Sequence, residues 1–280
     1  MFWTRLASGI VLLIIAIGSM SYGGGPLAAI LCGVSLVAFR ELTKALKCAK
    51  DNEKTSSMAR VPNGLEKAGL IGIICYYLTM YFVGEDTYLL MCIVGTFLAV
   101  IFVYVLTFPR YNANQTVAAV FSYLYAPVLL SFVYQTRMAP QGIYTVWMIL
   151  ISSWGCDTCA YAVGKLIGRK KIFPALSPKK SLEGCIGGVL GAALIGWLYG
   201  YFFVEKAFPD KSIAWVIAVI CGAGAVMSMA GDLAASAIKR NHDIKDYGKL
   251  IPGHGGIMDR FDSMIVTAPM TYFLTILMLV

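Results

Sequence analysis

Residues 87–108, TYLLMCIVGTFLAVIFVYVLTF, form an apolar run that contains no charged side chain. A helix needs about 20 such residues to cross the roughly 30 Å hydrocarbon core of a bilayer. The composition agrees, because 59% of the 280 residues are hydrophobic and 14% are charged, against about 25% charged in ordinary soluble proteins. The sequence therefore predicts an integral membrane protein whose outer surface is covered by lipid.

Nine apolar segments can be distinguished along the chain, and they predict an all-α, polytopic membrane fold with about nine transmembrane helices. The first segment lacks a clear small-x-small cleavage site, so we expect it to be retained rather than removed as a signal peptide. Glycines within the spans, among them Gly187, Gly188 and Gly191, are predicted to let helices pack closely. The approximate bounds of the segments are 6–22, 25–40, 67–84, 87–108, 115–136, 141–164, 184–204, 212–236 and 259–280.

Basic residues are distributed unequally between the two sides of these predicted spans. All but three of the 23 Lys and Arg residues fall on one side, and the exceptions are Arg137, Lys206 and Lys211. By the positive-inside rule, the N-terminus is predicted to be cytoplasmic and the C-terminus to lie outside. This asymmetry explains the net charge of +8 without a nucleic-acid partner. A short chain without an organellar targeting extension favours a multi-pass protein of a bacterial plasma membrane.

Carboxylates near the predicted inner ends of the spans are the first candidates for chemistry, because a charge near a bilayer centre costs about 2.5–3.5 kcal/mol on insertion scales. Asp157 lies near the inner end of the sixth span, Asp232 near that of the eighth, and Asp259 and Asp262 at the inner start of the ninth. The eighth span leaves the membrane on the side where the ninth re-enters it. We therefore expect Asp232 and Asp259 to meet, although 27 residues separate them.

Two convergent carboxylates without paired thiolates or histidines are typical of a Mg²⁺ site. Asp232 and Asp259 are the predicted ligands, and water and phosphate oxygens would complete the coordination of Mg²⁺, alone or beside a second cation. Helical spacing would place Ser236 and Arg240 on the face that carries Asp232, and Asp262 on the face that carries Asp259. The alternative is that these aspartates form ordinary ion pairs with Lys239, Arg240 and Arg260.

Residues 236–262, SAIKRNHDIKDYGKLIPGHGGIMDRFD, are dense in groups that can bind phosphate. Glycines allow backbone N–H groups to approach an anion closely, and the start of the following helix would favour a bound anion as well. The cations of the segment are Lys239, Arg240, Lys245, Lys249 and Arg260, and its glycines after the turn are Gly253, Gly255 and Gly256.

This segment resembles the signature of the phosphatidate cytidylyltransferase, or CDP-diacylglycerol synthase, family. The matching residues are Ser236, Lys239-Arg240, Lys245-Asp246, Gly248, Pro252, His254-Gly255-Gly256 and Asp259-Arg260-Phe261-Asp262. A second stretch resembles the loop of this family between the sixth and seventh spans, with Ser181 where Thr is more usual. It comprises Asp157-Thr-Cys-Ala-Tyr161, Gly164-Lys165 and residues 176–184.

The resemblance implies an enzyme that transfers a cytidylyl group from CTP to phosphatidic acid at the cytoplasmic membrane face, forming CDP-diacylglycerol and pyrophosphate. The residues implied in catalysis are Asp232, Asp259, Lys239, Arg240 and Arg260. Those implied in substrate binding are Lys179, Lys180, Ser181, Ser236, Lys245, Gly253, His254, Gly255 and Gly256. Those expected to surround them are Asp157, Glu183, Asp246 and Asp262. For His254, hydrogen bonding to phosphate and a structural role in the turn both remain open.

With this interpretation the chain divides into three parts. Residues 1–66 form a membrane hairpin and a cytoplasmic loop, residues 67–140 form central membrane helices, and residues 141–280 form a catalytic membrane region with cytoplasmic loops at 165–183 and 237–258. A homodimer is compatible with the sequence.

Two other functions fit parts of the sequence. A CTP-dependent lipid-alcohol kinase, such as a polyprenol kinase, would need a similar metal and phosphate site. A secondary transporter could use the carboxylates for ion coupling, but its carboxylates would be expected near the membrane midplane. Membrane lipids offer an alternative partner for Lys179 and Lys180, whose charges would be attracted to anionic headgroups.

Overall fold

A computed structural model describes residues 2–48, 60–174, 176–206, 212–250 and 255–279 of the chain, with side chains from residue 9 onward. Regular structure within these ranges is helical, apart from one antiparallel bridge between Lys171 and Ser181. The helices are α1 (Phe2–Tyr22), α2 (Gly24–Ala45), α3 (Gly64–Phe82), α4 (Asp86–Leu106), α5 (Ala113–Met138), α6 (Gly142–Ile167), α7 (Leu182–Val204), α8 (Ala214–Asn241) and α9 (Met258–Leu279).

Seven of these helices, α2 and α4 to α9, are long and apolar enough to cross a membrane. The predicted all-α, polytopic membrane fold is therefore confirmed. Helix α3 carries Glu66 and Lys67 in its first turn, and the described side chains of α1 provide a shorter apolar stretch, Gly9–Tyr22. The count of nine crossings, the cytoplasmic N-terminus and the external C-terminus stay predictions.

Two of the helices that begin earlier than their predicted spans, α3 and α5, start with a reciprocal pair of polar capping residues. At α3, the Asn63 side chain accepts a hydrogen bond from the Glu66 N–H, and the Glu66 carboxylate accepts one from the Asn63 N–H. Asn112 and Gln115 form the same reciprocal pair at the start of α5. Such pairs satisfy backbone N–H groups that the first turn of a helix leaves without partners. Span predictions from hydrophobicity alone overlook them.

Three of the long helices contain a wider π-helical turn. The turn of α5, Leu124–Val128, contains Pro127, which lacks the N–H needed for regular helical bonding. The turn of α6, Ile151–Gly155, directly precedes Cys156 and Asp157, and that of α7 spans Gly200–Val204. Because a π turn adds a residue to the helical repeat, the turn of α6 changes the direction in which Asp157 points.

The described residues form two compact units. The first lies within Met1–Tyr134 and Asn241–Phe261, and the second within Gln135–Arg240 and Asp262–Val280. In the first, buried tyrosine hydroxyls join the helices, since Tyr77 pairs with Ser35 at 2.8 Å and Tyr76 pairs with Ser131 at 2.9 Å. The three-part division by function stays a prediction.

In the second unit, helices α6 and α7 pack through glycines. A Cβ atom on Gly187 would overlap Val163, one on Gly188 would overlap Ala160, and one on Gly191 would overlap Cys159. The predicted packing role of these three glycines is confirmed. Their absence of side chains brings the start of α7 close to the end of α6, where several of the candidate site residues lie.

Candidate functional site

An acidic cluster with a lysine between its carboxylates lies in the second unit. The Lys180 Nζ is 2.5 Å from Oδ2 of Asp232 on α8, and the two side chains are 20% and 30% exposed. Asp157 on α6 lies within electrostatic range of both groups. We call these three residues the Lys180 cluster. The structure thus brings together three predicted site residues that are distant in sequence, and it gives Asp232 a basic partner that the sequence did not predict.

A cavity of about 270 Å³ lies beside the Lys180 cluster. Its lining is mixed in character. The charged side chains in it are those of Asp157, Lys165, Lys179 and Lys180. The lining also includes the apolar side chains of Ala160 and Met229. A cavity that offers both cations and apolar groups suits an anionic group attached to an apolar body.

The loop that carries Lys179 and Lys180 is held by the start of α7. The Ser181 hydroxyl caps this helix by accepting a hydrogen bond from the Gly184 N–H at 3.2 Å, and Ser181 is 2% exposed. Glu183 accepts hydrogen bonds from the backbone N–H groups of Arg169, at 3.0 Å, and Lys170, at 3.2 Å. Ser181 and Glu183 therefore order the loop in this structure, and the lysines line the cavity.

A second group of predicted residues lies in the first unit, at the start of α9. Oδ2 of Asp259 accepts hydrogen bonds from the N–H groups of Tyr247, at 2.9 Å, and Gly256, at 3.0 Å, and Asp259 is 8% exposed. The side chain of Asp246 is exposed and lies next to Gly255. The Gly256 amide, predicted to approach a bound anion, is thus directed at a carboxylate of the protein itself. These contacts fix the orientation of Asp259.

Glu41 on α2 belongs to the same group, although the sequence analysis did not select it. It is fully buried, and its Oε2 accepts a hydrogen bond from the Met258 N–H at 2.9 Å. Its carboxylate lies so close to Gly248 and Gly256 that neither position has room for a Cβ atom. The predicted second span ended at residue 40, which placed Glu41 in a loop. Leu42 continues the apolar repeat of this helix and is fully buried. In the sequence, it was the residue that could have indicated that the helix continues past residue 40 and includes Glu41.

The other predicted residues are distributed over both units. Helix α8 includes Asp232, Ser236 and Arg240, and helix α9 includes Asp259 and Asp262. The predicted helical spacing within each set is therefore confirmed. Ser236 and Lys239 are half-buried, whereas Arg240, Lys245 and Arg260 are exposed. Asp262 is 9% exposed, and its Oδ1 accepts a hydrogen bond from the Ser263 N–H at 2.8 Å. Gly253 and His254 lie outside the described residues, and the meeting of Asp232 with Asp259 stays a prediction.

Comparison with known proteins identifies one family. The Cytidylyltransferase family matches residues 3–278 of the chain. A phosphatidate cytidylyltransferase of Staphylococcus saprophyticus is 32% identical over 173 residues, which are 61% of this chain and 64% of that protein. Proteins of the same name from Staphylococcus aureus and Bacillus subtilis are 33% identical over 172 residues and 34% identical over 143 residues, covering 61% and 51% of this chain and 64% and 51% of those proteins.

The matched region spans less than two thirds of the length of these relatives. The family match, in contrast, covers nearly the whole chain. It confirms the resemblance found in the two motif regions, and this chain therefore belongs to the Cytidylyltransferase family.

Proposed function

We propose that the protein is a phosphatidate cytidylyltransferase, which converts CTP and phosphatidic acid to CDP-diacylglycerol and pyrophosphate at the cytoplasmic face of a bacterial plasma membrane. Three similar proteins from bacteria carry this name. The observation that carries the proposal is the cavity beside the Lys180 cluster, whose lining combines lysines with apolar side chains.

The cavity fits the phosphate end of a membrane lipid. Lys165, Lys179 and Lys180 offer three positive charges to a phosphate group, and Ala160 and Met229 offer an apolar surface to the glycerol and acyl portion. Phosphatidic acid and CTP are both anionic, so the enzyme must offset their mutual repulsion before they can react. Lysines fixed in an ordered loop can do so without reorganising during the reaction.

The basic residues of the segment 236–262 are proposed to bind CTP. Lys239, Arg240, Lys245 and Arg260 would hold the triphosphate and then the leaving pyrophosphate. A phosphate oxygen of phosphatidic acid forms the new bond to the α-phosphorus of CTP, and the bond from that phosphorus to the pyrophosphate oxygen breaks. The nucleophile is already an anion near neutral pH, so no general base is needed. His254 would donate a hydrogen bond to phosphate or support the turn.

The acidic residues present fit a bound Mg²⁺. Oδ2 of Asp232 already attracts a cationic group, the Lys180 ammonium, and Asp157 adds a second carboxylate nearby. Mg²⁺ usually takes one or two carboxylates from a protein and completes its coordination with water and phosphate oxygens. Asp232 and Asp259 are proposed as its ligands, alone or with a second cation. When bound, the ion would draw charge from the phosphate oxygens of CTP.

The test uses the detergent-purified protein with phosphatidic acid, Mg²⁺ and CTP that carries one label in cytosine and another in the γ-phosphate. We expect the cytosine label to enter the lipid fraction and the γ-label to leave with pyrophosphate. In a parallel assay with a polyprenol or another lipid alcohol in place of phosphatidic acid, transfer of the γ-label alone to the lipid would replace the proposal with a kinase. If neither label reaches lipid, the proposed activity is wrong.

A further inference from the structure

Glu41 is a buried acidic residue that the proposed chemistry does not use. It lies on α2, and its carboxylate contacts the segment around the start of α9, 217 residues away in the sequence. The Met258 N–H donates to Oε2 at 2.9 Å, and the Ile257 amide also faces the carboxylate. A buried carboxylate costs free energy unless hydrogen bonds or opposite charges compensate it. Backbone amides at the start of a helix provide both donors and positive partial charge.

The shape of the segment is adapted to this carboxylate. Cβ atoms on Gly248 and Gly256 would overlap the Glu41 carboxyl group, so both close approaches depend on glycine. Gly248 and Gly256 are eight residues apart in the sequence, and both lie against this one side chain. Glu41 thus holds the segment from a different helix, in the way that a local N-cap residue would hold its own helix.

The Glu41 contacts are adjacent to those of Asp259. Met258 precedes Asp259 in α9, and the Gly256 N–H donates to Oδ2 of Asp259 at 3.0 Å. The two carboxylates therefore contact the same short segment, Glu41 through Met258 and Asp259 through Gly256. A displacement of Gly256 or Met258 would move Asp259 with it.

We infer that Glu41 is a positioning residue, which fixes the orientation of Asp259 by binding the backbone N–H groups of residues 257 and 258 and by filling the space beside Gly248 and Gly256. The effect on rate rests on the proposed function, in which Asp259 contacts the bound cation. The effect on the backbone does not depend on that function.

The first test is hydrogen exchange of the detergent-solubilised protein, followed by mass spectrometry of peptides covering residues 245–262. Glu41→Gln keeps the size of the side chain and removes its charge. A hydrogen bond to a charged group is worth enough to slow exchange by about tenfold or more, so exchange at Met258 should accelerate by about that factor. Unchanged exchange in these peptides would overturn the inference, whether or not the protein is an enzyme.

Glu205→Gln is the matched control. Oε1 of Glu205 accepts a hydrogen bond from the Ala214 N–H, at 2.9 Å, at the start of α8. The control therefore makes the same chemical change at the same kind of contact on another helix. Exchange should accelerate at the start of α8 and stay at the wild-type rate in residues 245–262. Equal acceleration of residues 245–262 in both variants would show a general loss of stability and would contradict a specific role of Glu41.

The second test approaches the same contact from the loop. Gly256 has an ordinary backbone conformation, so Gly256→Ala acts through its new methyl group, which should displace the Glu41 carboxylate. In Glu41→Ala/Gly256→Ala, the carboxyl group that this methyl group would overlap is absent. We expect the double variant to turn over no more slowly than Gly256→Ala alone, whereas losses that multiply would contradict the inference. This test also applies if Glu41→Gln does not fold.

The kinetic test separates positioning from binding. Glu41→Gln should lower kcat by about tenfold or more and leave KM for CTP within about threefold, because an orientation that matters in the transition state affects kcat first. A raised KM with an unchanged kcat would contradict positioning of Asp259. If the wild-type protein forms no CDP-diacylglycerol, the proposed function fails, and hydrogen exchange still decides the role of Glu41.

Discussion

Lys180 takes part in two sets of contacts. Of the candidate residues, it is therefore the one at which we expect a substitution to have the largest effect. It pairs with Asp232 at 2.5 Å and lines the cavity next to Asp157. Its charge lowers the repulsion between two neighbouring carboxylates, and we propose that it also contacts an anionic ligand. A single ammonium group can interact with the carboxylates and with the ligand at the same time only if the ligand lies close to the carboxylates. A phosphate bound beside a cation would do so.

Replacing Lys180 with Met should therefore weaken the use of phosphatidic acid more than it affects the fold. We expect KM for phosphatidic acid to rise by about tenfold, because a charge-assisted contact is worth roughly 1.5–3 kcal/mol. The measurement is CDP-diacylglycerol formation at varied lipid concentration in mixed micelles. Lys170→Met is the matched control, since Lys170 is exposed on the same loop and does not line the cavity. Equal kinetics in the two variants would exclude Lys180 from substrate binding.

Asp259→Asn should abolish activity without unfolding the start of α9. The amide oxygen of Asn can still accept hydrogen bonds from Tyr247 and Gly256, but the negative charge proposed to hold Mg²⁺ is lost. We expect a loss of at least about 100-fold in kcat/KM, which corresponds to roughly 2.7 kcal/mol.

Asp243→Asn is the control for this prediction, because it makes the same chemical change at an exposed position of the same segment. Asp243 has a φ of 52°, a conformation that Asn adopts readily, so the control should fold and react as wild type. Activity of Asp259→Asn at the level of Asp243→Asn would remove Asp259 from the proposed metal site.

At the scale of helices, the predicted spans agree with the structure most closely where hydrophobicity decides the ends. Predicted span 87–108 corresponds to α4, Asp86–Leu106. The second span ended at residue 40, whereas α2 continues to Ala45, because Arg40 and Glu41 are buried by polar partners rather than exposed at a helix end. Hydropathy treats every charge as an end, and a single sequence does not reveal which charges have partners.

The same limit applies to the candidate site. The motifs predicted which residues belong to the site, and the structure places three of them, Asp157, Lys180 and Asp232, close together; their roles stay predictions. The sequence did not indicate that Lys180 pairs with Asp232, nor that the Gly256 amide binds Asp259. The first partner depends on how the loop before α7 lies against α8, which is a tertiary effect. The second is a local contact across three residues, whose geometry the motif alone does not specify.

Substitutions in the two reciprocal caps, Asn63 with Glu66 and Asn112 with Gln115, should destabilise the protein by different amounts. Glu66 caps α3 and also accepts buried contacts from Arg60, Arg40, at 3.4 Å, and Thr43, at 2.7 Å. Gln115 caps α5 at an exposed position. Glu66→Ala removes the negative charge that compensates the buried guanidinium groups of Arg40 and Arg60. This substitution should therefore lower the free energy of unfolding by about 3–5 kcal/mol. Gln115→Ala, the control, should cost about 1 kcal/mol. Thermal unfolding in detergent measures both, and similar losses would contradict a structural role for the buried ion pairs.

At the scale of the whole molecule, family membership and composition agree on a multi-pass membrane protein. The asymmetry of Lys and Arg predicts which side of the membrane each loop occupies. Under that orientation, the motif segments at 165–183 and 237–258 both reach the cytoplasm, where CTP is available. Neither substrate would have to cross the bilayer.

This orientation can be tested with reporter fusions in a bacterial host. Alkaline phosphatase attached after residue 280 should be active, because this reporter folds only outside the cytoplasm, whereas the same reporter inserted after Gly168 should be inactive. Green fluorescent protein at the same two positions should give the opposite result. Active phosphatase after Gly168 would show that the orientation is the reverse of the predicted one. The loop at 165–183 would then lie on the other side of the membrane from the CTP in the cytoplasm.

The contacts of Glu41 limit how this chain can be recombined with its relatives. A chimera that receives its first two helices from another protein and its final segment from this one will lose the acceptor for Met258 unless the donor supplies a carboxylate of matching reach. Breakpoints between α2 and α9 should therefore fail more often than sequence identity suggests, and restoring Glu41 alone should recover part of the lost yield. Segments remote in the gene would have to be inherited as a pair.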